Sequence, residues 1–153
     1  MEAKMQQYEV YNALRSMKRL QKAHKTFLDA LAAQPEVESD LGTVQSTSEG
    51  VSLQCLGYDV AIRQRPISLQ AGELAYEYEF IVECWGEKHV IMRLYMTTQG
   101  NLYRAADLSE YFDSVDGWST RNTLITETFI KLLQSKVFAP NQIKTSPVQG
   151  LSV

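Results

Sequence analysis

The chain has 153 residues, enough for one domain of ordinary size whose core needs neither disulfides nor a metal to hold it. Hydrophobic residues make up 44% and charged residues 22%, a globular balance that excludes the disordered and fibrous classes. The net charge of −3 is uneven: residues 1–34 carry six Lys/Arg against three Asp/Glu, and the acidic remainder argues against nucleic-acid binding over the whole surface.

No stretch approaches the roughly 20 apolar residues of a membrane span. Residues 1–7 (MEAKMQQ) lack the apolar run of a secretory signal, so the expected location is the cytoplasm. Cys55 and Cys84 each sit in an apolar, strand-like run and read as buried free thiols. A disulfide would need neighbouring strands and an oxidising compartment.

Helical spacing opens the chain. Val10, Ala13, Leu14, Met17, Leu20, Phe27, Leu28 and Leu31 form one stripe from about Gln6 to Ala33, ended by Pro35. Such a helix is about 40 Å long, so one end is expected to project or to pair with a partner. Residues 35–50 are polar and read as a linker. Val51, Leu53 and Cys55 then alternate with polar neighbours, and Tyr58, Val60 and Ile62 resume the alternation one residue out of phase. Either a bulge or a tight turn at Leu56-Gly57 accounts for the slip, and Pro66 closes the run.

The clearest strand is Glu73–Trp85, with Leu74, Tyr76, Tyr78, Phe80, Val82 and Cys84 on one parity and Glu73, Glu77, Glu79 and Glu83 on the other. After Gly86-Glu87, Val90, Met92, Leu94 and Met96 repeat the pattern. Putting both apolar sets on one face requires even residues to pair with even, which a three-residue loop allows and a two-residue loop does not. Leu102–Arg104 reads as a short strand, and Asp107–Glu110 as a capping box opening a short helical turn. A second helix follows from Thr120 to Val137. The expected fold is α+β: a long N-terminal helix, an antiparallel sheet of three to five strands in meander order and a C-terminal helix, with both helices on one sheet face. Residues 1–138 form a single domain and 139–153 a polar tail.

The residues carry no catalytic signature. No Gly-rich phosphate loop, HExxH, CxxC or nucleophile elbow occurs, and no metal-ligand spacing is present, so neither metal nor cofactor is expected. His24 falls inside the apolar stripe of the first helix and reads as a partly buried histidine with a backbone or carboxylate partner. Glu77, Glu79 and Glu83 read as a solvated face with Arg93 as an ion-pair partner. Among them stand Ile81, Trp85, Ile91 and Tyr95, too much apolar surface for a purely solvated face. Either a helix of this chain covers them or a partner does; together with Glu79 and Arg93 they are the candidate protein interface. Even-with-even pairing makes Ile81 and Ile91 neighbours, and Ile91→Glu is then expected to disrupt association while the monomer stays folded. Arg15, Lys18, Arg19, Lys22 and Lys25 lie opposite the apolar stripe with Tyr8 and Tyr11 beside them, a candidate basic face. Tyr58, Tyr76, Tyr78 and Met92 are the candidate lining of a pocket between sheet and helices.

These readings favour a small, non-catalytic protein-binding module of adaptor, immunity or chaperone type, acting through the sheet face and the long helix. Its partner is another protein or a second copy of the chain in a homodimer. The alternatives are a small-ligand binder or small enzyme using the pocket, and nucleic-acid binding through the basic helix, against which stands that long surface helices commonly carry such a charged outer face.

Overall fold

Residues 7–32, 42–47, 50–69, 72–117 and 120–138 are described by the computed structural model. The apolar stripe of the first helix is realised as α1 (Gln7–Ala32), and the second helix as α2 (Thr120–Gln134). Between them run β1 (Thr43–Thr47), β2 (Gly50–Cys55), β3 (Tyr58–Ser68), β4 (Leu74–Cys84), β5 (Glu87–Met96), β6 (Asn101–Tyr103) and β7 (Tyr111–Ser114). They form one antiparallel sheet in sequence order, curled into a half-barrel. The sheet thus has seven strands rather than three to five. No helix among the described residues is long and apolar enough to cross a membrane. The expected tail, residues 139–153, lies outside the described residues.

Departures from the expected elements have local causes. β1 lies inside the segment that reads as a linker: only Val44 of its TVQST is aliphatic, so no alternation marks it, yet it pairs with β2 from Thr43↔Gln54 to Thr47↔Gly50. β3 runs through Pro66 to Ser68 because β2 pairs with it only as far as Ala61; beyond that it is an edge among the described residues, where a missing N–H costs little. Asp107–Glu110 opens no helix. Asp107 Oδ1 instead accepts the Ser109 N–H at 3.0 Å, Leu108 takes a left-handed φ of 61°, and the chain enters β7.

Both helices pack on the same sheet face. Leu20, Phe27 and Leu31 of α1 and Leu124, Ile125 and Leu132 of α2 meet Tyr76, Tyr78, Phe80 and Val82 of β4 in one core. The Phe27 ring stands edge-on to Tyr78 at 5.1 Å. Only part of the α1 stripe is covered, since Val10 and Leu14, with Tyr8 and Tyr11, remain exposed. Gly42, just before β1, is held where nothing larger fits: a Cβ there would lie 2.7 Å from Gln54 O and from Cys55 Sγ, and 3.3 Å from Ile125 of α2. Gly42→Ala is therefore expected to destabilise the fold by about 1–3 kcal/mol, measured as a lower urea midpoint.

Two hairpins set the register. Cys55 pairs with Tyr58 across Leu56 (φ 53°) and Gly57 (φ 84°), so the phase slip is a two-residue turn and not a bulge. Cys84 pairs with Glu87 across Trp85 (φ 55°) and Gly86 (φ 79°) in the same way. The β4–β5 loop therefore has two residues, not the three that parity demands. A register shift at Phe80/Ile81 reconciles the two: Ile81 pairs with Val90, Phe80 with Met92, and Ile91 is the extra residue. From there Tyr78↔Leu94 and Tyr76↔Met96 put both apolar sets on the core face.

Candidate functional site

The face of β3, β4 and β5 turned away from the helices is built in cross-strand rows. Arg63, Glu79 and Arg93 form one, in which Arg63 Nη2 donates to Glu79 Oε1 at 2.7 Å and Arg93 Nε to Oε2 at 3.2 Å. Arg63, then Arg93, holds the Glu79 carboxyl below the usual carboxylate range against the opposing effect of partial burial. In the next row Arg65 Nε donates to Glu77 Oε1 at 2.8 Å, and Glu77 pairs with Tyr95. Burial first and the Glu77 carboxylate second push the Tyr95 phenol up. Tyr103 and Tyr111 extend this row, their rings edge to face at 5.7 Å. A third row is Ala61, Ile81 and Val90. No described helix covers these rows, because α1 and α2 both pack on the opposite face.

The expected interface residues divide in this framework. Ile81 and Tyr95 are half-buried, Glu79 and Arg93 are locked together, and Trp85 stands at the hairpin tip with 97% of its surface exposed. Ile91 leaves the group. As the bulge residue it does not face Ile81, and its side chain packs against the core. The sequence reading missed Arg63, Arg65, Tyr103 and Tyr111; once β3 runs through Pro66, the spacing of Arg63 and Arg65 puts both on the face of Glu79 and Glu77.

The basic residues Arg15, Lys18, Arg19, Lys22 and Lys25 all lie on the exposed side of α1, where Lys25 pairs with Asp29 at 2.9 Å. The expected pocket residues are placed differently. Tyr76, Tyr78 and Met92 are buried, while Tyr58 is half-buried with its ring edge to face on Phe138 at 5.4 Å. Of two surface cavities of about 440 and 430 Å³, Met92 touches the first, and Tyr58, Tyr76 and Tyr78 line neither. Cys55 is buried, Cys84 half-buried, and both are free thiols. Among the described residues no three His, Cys, Asp or Glu side chains cluster as metal ligands do.

His24 finds a phenol rather than a carboxylate: its Nδ1 lies 2.7 Å from Tyr78 Oη, with the two rings stacked at 5.7 Å. Burial lowers the His24 pKa below its ordinary value of 6.5. The unfolded chain then binds the proton at higher pH than the folded one, so this contribution to stability is full above about pH 6.5 and declines as pH falls towards the folded value. Urea titrations at pH 7.5 and 5.5 should show the wild-type midpoint falling more on acidification than that of His24→Gln. No protein-family model, curated protein or solved structure matches this chain.

Proposed function

We propose that this chain is a non-catalytic protein-binding module whose contact surface is the tip and uncovered face of the β4–β5 hairpin. The observation that carries this reading is Trp85. A two-residue turn with both residues at positive φ favours Asn, Asp or Gly, and holding a non-glycine residue there costs about 1–2 kcal/mol. Trp85 accepts that conformation at φ 55° and leaves 97% of its surface in water, so neither turn formation nor core packing accounts for a tryptophan there. Exposed tryptophans on rigid supports supply much of the energy of protein interfaces. The half-buried Ile81 and Tyr95 and the ion pairs of Glu79 supply an apolar centre within a charged surround.

Trp85→Asn separates binding from folding, because asparagine suits the turn. The substitution is expected to leave the urea midpoint unchanged or raised. It should weaken association about tenfold or more, whether with a second copy in native mass spectrometry or with a protein partner retained by the immobilised chain. Equal association of the two proteins would refute the reading.

A further inference from the structure

The β5 strand has a long open edge. β6 pairs only with Tyr95 and Met96 and then turns away, so among the described residues no strand pairs with Glu87–Leu94 on the side opposite β4. An open edge presents a row of main-chain N–H and C=O groups, the complement of another extended chain. Along this edge lies the cavity of about 440 Å³. Consecutive residues Val90–Arg93 line it; Val90 and Arg93 are exposed while Ile91 and Met92 pack towards the core, so the cavity follows the side of the strand and not one of its faces. Its other walls are Arg104 and Glu110 from the β6–β7 connection and Glu127 and Lys131 from α2.

We infer that this groove takes one extended peptide segment of a partner protein, added to β5 as an extra strand, with an acidic side chain directed at Lys131. The inference rests on the reading of the chain as a protein-binding module but concerns a different surface from Trp85. Four residues of edge span about 13 Å, which matches a short peptide. The wall formed by α2 favours a single strand, since the edge of a second folded sheet would meet it. Charge complementarity gives the acidic preference at the α2 end of the groove: Arg104 is held by Glu127 at 3.0 Å and Arg93 by Glu79 at 3.2 Å, Lys131 is half-buried with no ion pair among the described residues, and the remaining acid, Glu110, is exposed on the β6–β7 side.

The test is to pan a phage-displayed library of random short peptides against the full chain and to resynthesise the enriched sequences. They are expected to carry an acidic residue and to bind about tenfold or more weakly to Lys131→Glu. Methylating peptide amides on one parity should abolish binding while methylating the other parity leaves it, a readout that side-chain docking alone would not produce. Hydrogen exchange by NMR should show the amides that face the open edge within Val90–Arg93 slowing when peptide binds. Trp85→Asn should bind the same peptides as wild type. The inference is overturned if no peptide enriches, if methylation is harmless on both parities, or if those edge amides are already slow in the dilute free chain. Slowing that follows the concentration of the chain alone would also overturn it, by making the occupant a second copy. None of these outcomes touches the Trp85→Asn comparison, so either proposal can fail without the other.

Discussion

Phe27→Ala should lower the stability of the fold by about 3–5 kcal/mol, seen as a large drop in urea midpoint with the unfolding slope unchanged. Phe27 is fully buried between α1 and β4, and its edge-on contact with Tyr78 is lost together with its buried area. The same truncation at Tyr11, nearer the N-terminus of the same helix, should change the stability by less than about 0.5 kcal/mol, because Tyr11 is exposed. The contrast is the point. It measures where α1 is seated: from Met17 onward the helix is part of the core, and before that it is not. Equal effects at the two positions would mean that the first half of α1 packs as tightly as the second.

Ile91→Glu should destabilise the monomer by about 2 kcal/mol rather than act on association alone. Ile91 is the extra residue of the bulge and packs against the core, so the substitution removes apolar contacts and brings a carboxylate towards them. Val90→Glu, at the exposed neighbour that pairs with Ile81, should stay within about 0.5 kcal/mol of wild type. Thermal or urea unfolding of the two variants side by side checks this. A stable Ile91→Glu would restore Ile91 to the outer surface.

Ile91 also shows how far the sequence carries the fold. Its alternation is strong enough to define β4 and β5 and to identify the core face, because Tyr76, Tyr78, Phe80 and Val82 keep one parity throughout. Alternation reports the side of a strand, however, and not how two strands are aligned. A three-residue loop and a two-residue turn with a bulge satisfy the same parity rule, and only the latter takes Ile91 out of line with Ile81. The hidden strands failed for a related reason. β1 and β7 offer few apolar side chains of their own, Val44 in one and Tyr111 and Phe112 in the other, and are held by main-chain pairing to neighbours. Paired carboxylates were visible in the sequence, but Arg63 and Arg65 fell beside Pro66, where the strand was expected to end.

The candidate surface follows from these two registers together. The turn without a third residue leaves Trp85 at its apex in a left-handed conformation, and the bulge that compensates for it leaves Ile81 opposite Val90 on the uncovered face. Glu79, bridged by two arginines, fixes the neighbouring row, so the surface is held in shape before any partner arrives.

Hydroxyl-radical footprinting of Trp85, in the purified chain and in the chain assembled with whatever it binds, tests the central claim most directly. Trp85 is expected to be labelled rapidly in the dilute purified chain and to be protected on association, whether the covering molecule is a second copy or another protein. Rapid labelling that is the same in both states would contradict the assignment of this hairpin as the binding surface.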